Sequence, residues 1–164
     1  MVFTMLFPAH AEDRAGVEPA PVADDMEGSG HILLVDDDEG VLLVTTRSLT
    51  RLGYTVTSCR SGDEALALFE SAPAAFDLVL TDQTMPGRTG LQLAREVRAS
   101  RPDLPIVLTT GYAGVITDEH LRGIGDCSLV MKPASPSQIG RVVRSSMHGP
   151  QGVNGTYGGV LIEH

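Results

Sequence analysis

Three consecutive carboxylates (Asp36, Asp37 and Asp38), another at Asp82, the hydroxyl pair Thr109-Thr110 and the chain's single lysine, Lys132, are the residues whose types could do chemistry. Carboxylates brought close together repel strongly unless a positive charge compensates them. A hard divalent cation is one compensator, and oxygen-only ligands select Mg2+ over zinc or copper. A fixed ammonium is another. Such a set suits a transferring phosphoryl group, for which catalysis is mostly positioning and charge neutralisation. A central carboxylate can itself act as nucleophile and hold an acyl phosphate. Each residue alone has a plainer reading: Asp38 as a helix N-cap, Thr110 as a turn residue, Lys132 as a surface charge. Their joint placement decides between the two.

That placement follows from the elements that carry them. Ile32-Leu33-Leu34-Val35 is a short continuous apolar run, as in a strand buried on both faces, and it runs straight into Asp36. Val41 to Leu52 has apolar residues at helical spacing (Val41, Val44, Leu49, Leu52) and ends at Gly53. Tyr54 to Ser58 reads as a second, more polar strand, and Ala65 to Ser71 as a helix with Leu66 and Phe69 inward. Asp77 to Thr81 is the third strand and ends at Asp82. Arg88 to Ser100 is a helix with Leu91, Ala94 and Val97 on one stripe. Pro105 to Thr109 is the fourth strand, and Gly114 to Arg122 a short helix. Cys127 to Met131 is the fifth strand and ends at Lys132. Ser135 to Met147 is a last helix with Ile139, Val142, Val143 and Met147 inward. Five strands alternating with five helices imply an α/β fold, a doubly wound five-stranded parallel sheet covered on both faces. In such folds ligands sit beyond the carboxyl ends of the strands, where the acids, the threonines and the lysine all fall.

Composition narrows the function classes. The chain has 164 residues, 42% of them hydrophobic but only 4% aromatic, so Leu, Val, Ile and Ala must fill the core. A formal net charge of −9 argues against a nucleic-acid-binding module, which needs a basic face. No run of about eighteen apolar residues is present to cross a membrane. The opening Met1-Val2-Phe3-Thr4-Met5-Leu6-Phe7 lacks the basic start of a signal peptide. Cys59 and Cys127 fit no metal-ligand spacing and read as small apolar residues in a reducing cytoplasm, unpaired. Residues 1–30 read as a leader followed by an acidic, Pro/Ala-rich linker, 31–147 as the folded domain and 148–164 as a flexible, glycine-rich tail.

From His31 to Met147 the chain resembles the receiver domain of two-component response regulators. Val35-Asp36-Asp37-Asp38 is similar to the family's acidic pair after strand one. Asp82-Gln83-Thr84-Met85-Pro86-Gly87-Arg88-Thr89-Gly90 is similar to the stretch from phosphoacceptor to the glycine opening helix three. Thr110-Gly111 resembles the switch threonine with its small neighbour, and Met131-Lys132-Pro133 the lysine before a cis-prolyl bond. The resemblance implies a flavodoxin-like sheet of order 2-1-3-4-5 and a phosphoacceptor that is not a turnover enzyme. Asp82 would take a phosphoryl group from the phosphohistidine of a histidine kinase or histidine phosphotransfer protein. Mg2+ would be bound by Asp37 and Asp82 directly, by Asp36 through water and by the backbone carbonyl of Thr84. Lys132 and Thr110 would contact the phosphoryl oxygens, Gly111 would leave room for them, and Thr84 and Tyr112 would set the rate of hydrolysis. The surface around helix four, strand five and helix five would carry the signal, with a homodimer among the assemblies the resemblance admits.

Some positions depart from the pattern. Leu129 stands in mid-strand five where the family commonly has Tyr or Phe, Ala134 stands where Phe is frequent, and Gly123 to Ser128 replaces a Gly-Ala stretch. The N-terminal Val2-Phe3-Thr4-Met5-Leu6-Phe7-Pro8 resembles the last strand of a histidine-kinase ATP-binding domain. That implies the C-terminal receiver of a hybrid histidine kinase, against a free-standing regulator. The 17 residues after Met147 are too few for an output domain. Two other functions compete. A haloacid-dehalogenase-type phosphatase would need a second Asp two positions after the nucleophile, where Thr84 stands. A pseudo-receiver acting only as a docking module would have no use for the complete chemical set.

Overall fold

The computed structural model describes residues 28–112, 116–125 and 127–148. Strands β1 (His31–Val35), β2 (Thr55–Cys59), β3 (Leu78–Asp82), β4 (Ile106–Thr110) and β5 (Cys127–Met131) form one parallel sheet in the order β2-β1-β3-β4-β5. Helices α1 (Glu39–Arg51), α2 (Gly62–Ser71), α3 (Gly90–Ser100), α4 (Asp118–Arg122) and α5 (Pro136–His148) follow the strands in turn. This is the doubly wound five-stranded fold that the alternation of short apolar runs and helical stripes implies. The central strands β3 and β4 are buried along their whole length, because helices cover both faces. The edge strand β2 is exposed or half-buried except at its last residue, the buried Cys59, in keeping with its more polar sequence.

Side chains along a strand alternate between faces, so the sheet divides its apolar residues into two cores. Ile32, Leu34, Leu78, Leu80, Val107 and Val130 face one way and pack under α1 and α5 through Leu42, Leu49, Ile139 and Val143. Leu33, Val35, Val79, Ile106, Leu108 and Leu129 face the other way and pack under α2 and α3 through Ala65, Phe69, Leu91, Leu93, Ala94 and Val97. Ile116, Leu121 and Ile124, in and around α4, join this second core.

The largest departure from the sequence reading is the phase of α1. Its buried stripe is Leu42, Thr45 and Leu49, whereas Val44 is 54% exposed. Asp38 caps the helix, its Oδ1 accepting from the backbone N–H of Gly40 (2.8 Å) and Val41 (3.1 Å), so the helix starts at Glu39. A threonine in the core stripe and a valine outside it together mimicked a different register. In α2, Ala65 joins Phe69 in the core while Leu66 is only partly buried. Helix α3 begins at Gly90 because Thr89 and Gln92 form a capping box, and α4 begins at Asp118 because Thr117 caps it. In α5, Ile139 and Val143 are buried, and Val142 and Met147 pack at the margin.

Both cysteines are free, as the absence of any pairing or ligand spacing implies. Burial pushes the Cys59 thiol up to about 11 and the Cys127 thiol up to about 12. Among the described residues no helix is long and apolar enough to cross a membrane. Residues 1–27 of the leader and linker, Gly114 at the expected start of the fourth helix, and the tail from residue 149 lie outside the described residues.

Candidate functional site

The acidic residues and the lysine extend the apolar columns of the α1/α5 face. Asp36 follows Leu34 by two residues, Asp82 follows Leu80, Thr109 follows Val107 and Lys132 follows Val130, so all four share that face at the carboxyl ends of their strands. The ladder holds them level beyond the last paired residues: the Asp36 N–H donates to the Cys59 carbonyl (3.2 Å) and the Lys132 N–H to the Thr110 carbonyl (2.8 Å).

At the centre, the Lys132 Nζ donates to Asp82 Oδ1 at 2.7 Å and to Asp36 Oδ2 at 2.9 Å. Both carboxylates are almost wholly buried, Asp36 at 3% and Asp82 at 5% exposure. The second oxygen of each is also engaged. Asp36 Oδ1 accepts from the Asp38 N–H at 2.9 Å, and Asp82 Oδ2 accepts from the Thr84 N–H at 2.8 Å. Burial by itself would lower the lysine's proton affinity. Its hydrogen bonds to Asp82 and Asp36, with their charges, outweigh that and raise Lys132 above the ordinary lysine range. Asp37 stands exposed beside this cluster, and Asp38 is committed to capping α1.

The loop after β3 is fixed by a residue that motif spacing did not single out. Gln83 is 4% exposed, and its Oε1 accepts from the Leu91 N–H at 2.9 Å, tying the start of α3 to the strand end. Gly90 is required there, since a Cβ would lie 2.3 Å from the Asp82 carbonyl oxygen. Further along, Arg88 donates from Nε to Asp63 Oδ1 at 2.8 Å and also bonds Glu96, so the loop is strapped to α2 and α3. The Asp63 hydrogen bond is the main reason that the Arg88 guanidinium is held above its ordinary range. Gln83 could have been found only as a buried polar side chain needing a partner, which the linear sequence does not display.

The two threonines closing β4 part company. The Thr109 hydroxyl donates to Asp82 Oδ1 at 3.3 Å, whereas the Thr110 hydroxyl pairs with the backbone of Tyr112, accepting from its N–H and donating to its carbonyl at 3.2 Å each. Thr110 lies on the opposite face, two residues beyond Leu108, which pairs with Leu129 of the adjoining strand. At Gly111 an added Cβ would meet no atom within 4 Å, and Tyr112 is 69% exposed. The Lys132-Pro133 peptide is cis, as the resemblance of Met131-Lys132-Pro133 implies.

The donor set fits a hard cation in its chemistry. Asp36, Asp37 and Asp82 offer only oxygen, and against them stands one ammonium, leaving two negative charges in excess. Among the described residues, however, no three acidic, histidine or cysteine side chains are gathered as a metal site. Lys132 takes one oxygen from each buried carboxylate, and the third acid, Asp37, is exposed.

Comparison with known proteins agrees with this fold. The family model for the response regulator receiver domain matches residues 32–144. The sensor kinase CckA of Brucella abortus is 31% identical over 154 residues, 88% of this chain and 16% of that protein. The two-component response regulator ARR14 of Arabidopsis thaliana is 34% identical over 119 residues, 73% of this chain and 31% of that protein. The chain thus spans a third or less of the length of these two relatives. Among solved structures, the receiver protein of Sinorhizobium medicae matches with a TM-score of 0.68 at 32% identity, over 74% of this chain and 96% of that one. The Thermotoga maritima response regulator TrrA, solved in complex with Mg2+ and BeF, matches with a TM-score of 0.63 at 31% identity, over 70% of this chain and 96% of that one. With the family model covering residues 32–144 and the strand order that the fold requires, this chain belongs to the response regulator receiver domain family of two-component systems.

Proposed function

We propose that this domain is a phosphoacceptor in a phosphorelay, with Asp82 as the residue modified. The observation that carries the reading is the position of Asp82, buried at the end of a central strand with one carboxylate oxygen on Lys132. A carboxylate oxygen of Asp82 attacks the phosphorus of a phosphohistidine on a histidine kinase or histidine phosphotransfer protein. The new P–O bond forms as the P–N bond breaks, and the imidazole leaves with the electron pair and takes up a proton. Lys132 and the Thr84 N–H, already on the two oxygens of Asp82, orient the nucleophile and meet charge that develops on the phosphoryl group. Mg2+ would be held by Asp36, Asp37, Asp82 and the Thr84 carbonyl, and when bound it supplies charge neutralisation for the transferring group. Asp37 must turn inward to take part. Thr110 then exchanges its bond to Tyr112 for a phosphoryl oxygen and moves the loop after β4, which changes the surface around α4, β5 and α5.

The wider setting we propose is a hybrid histidine kinase. The match to the sensor kinase CckA extends over 88% of this chain, more than the receiver itself occupies. The coding sequence upstream should carry an ATP-binding domain in the same frame, and a stop codon there would overturn this assignment.

Incubation with acetyl phosphate and MgCl2 should add one phosphoryl group by intact mass, labile to base and to hydroxylamine as an acyl phosphate is. Asp82→Asn should abolish it, and undiminished incorporation in that variant would move the acceptor elsewhere. The two threonines separate in the same assay. Thr110→Val should still take up phosphate but lose the accompanying amide shift at Tyr112, whereas Thr109→Val should keep that shift and change the rate. The reverse pattern would assign the switch to Thr109. Lys132→Met leaves two buried carboxylates unpaired and should lower metal-free stability by about 3 kcal/mol at pH 8 in urea melts. Because folding raises the lysine above 10.5, its contribution is complete below that pH and is lost as pH climbs through the folded value. The gap between wild type and variant should therefore close in strongly alkaline solution; a gap independent of pH would count against the pairing.

A further inference from the structure

A cavity of about 660 Å3 opens beside the site, between α1, the connection from β5 to α5 and the face of the sheet they cover. Leu34 and Leu80 of the sheet, Val41 and Val44 of α1, and Ala134 and Ile139 near the start of α5 give it apolar walls. Phosphoryl transfer has no use for such walls, since it needs positioning and charge alone. The volume falls within the ~300–1,000 Å3 of small-molecule sites, and apolar walls converging on a few polar groups are how such sites are built.

The polar end gives the occupant its chemistry. Asp36, Asp38, Asp82, Thr109 and Lys132 line it, three carboxylates against one ammonium, so an anion entering there meets repulsion and a cation meets attraction. The chain as a whole carries a formal charge of −9, which favours the same sign of ligand at longer range. The way in is open: Val44 is 54% exposed, and the small side chain of Ala134 leaves the opposite side unfilled. We infer that this cavity is a ligand site for a small amphipathic cation, an alkyl or aryl guanidine, amidine or amine. Its head sits at the Asp36–Asp82 end and its body lies against Leu34, Leu80 and Ile139. A ligand so placed puts its charge where a metal ion would enter, so its binding opposes phosphorylation under the reading proposed above.

The test uses the full 15N-labelled chain without metal or phosphodonor, titrated with hexylguanidinium and, for comparison, hexanoate and hexanol. Hexylguanidinium should give saturable amide shifts at Val41, Thr45 and Ile139 that the anion and the alcohol do not. Lengthening the alkyl chain from butyl to octyl should tighten binding about fourfold per methylene. Ala134→Phe, which fills the cavity, and Val44→Trp, which covers its mouth, should each weaken binding by about tenfold or more. Equal shifts from all three probes, no saturable shifts, or unchanged affinity in both variants would overturn the inference. Because neither metal nor phosphodonor is present, failure here leaves Asp82 as acceptor, and failure of Asp82 to accept phosphate leaves the cavity intact.

Discussion

The contact of one ammonium with two buried carboxylates is the constraint around which this domain is built. Removing each carboxylate from water would cost several kcal/mol if it were left unpaired. Lys132 meets both at once, at 2.7 Å from Asp82 and 2.9 Å from Asp36. The three partners come from β1, β3 and β5 or the residue just after them, so the contact depends on the order β1-β3-β4-β5 and on those strands ending at the same height. Topology and charge balance are thus a single requirement. The balance is also incomplete, since one positive charge faces two buried acids with Asp37 beside them. A phosphoryl group is itself anionic, so the phosphorylation proposed at Asp82 would require more positive charge than Lys132 supplies, and oxygen ligands are what the site offers to hold it.

Under the proposed function the alternation of side chains separates the chemistry from its readout. Asp36, Asp82, Thr109 and Lys132 lie on the α1/α5 face, whereas Thr110 and Leu129 lie on the face under the other helices. Thr109 and Thr110 are adjacent, so an event at Asp82 has one peptide unit to cross before it reaches the opposite core. Leu129 is 8% exposed there and packed by neighbours. A leucine cannot present the hydroxyl or the flat ring that an aromatic residue would bring to Thr110. Under the proposed function a message across β5 would travel by repacking and backbone displacement, and not through a side-chain hydrogen bond at this position.

The sequence made the strands and the strand-end residues legible because both are short-range signals. A continuous apolar run names a doubly covered strand, and the residue that follows it is at the sheet edge whatever the rest does. Helix phase was less legible. Thr45 is buried and Val44 exposed, the opposite of what polarity suggests, and only the cap at Asp38 sets the register. Least legible were the partners of polar side chains. That Asp36 and not Asp37 meets Lys132, that Gln83 ties α3 to the strand end, and that the two threonines face opposite ways are facts of three-dimensional parity. The linear pattern contains them only once the exact end of each strand is known.

The resting partner of Thr110 bounds what that residue can contribute to a switch. Its hydroxyl makes neutral hydrogen bonds to the backbone of Tyr112, worth about 1 kcal/mol net. A bond to a charged phosphoryl oxygen is worth roughly 1.5–3 kcal/mol. Under the proposed phosphorylation the exchange would gain on the order of 0.5–2 kcal/mol, a shift of roughly two- to thirtyfold in the populations of two loop arrangements. Tyr112 does little to resist, since its ring is 69% exposed and leaves little apolar contact to break. A shift from one per cent to ninety-nine per cent would need about 5.5 kcal/mol. Under the same proposal the remainder would come from the other groups that meet the phosphoryl oxygens, Lys132 and a bound Mg2+ among them. Lys132 thus belongs both to the resting charge balance and to the proposed switch.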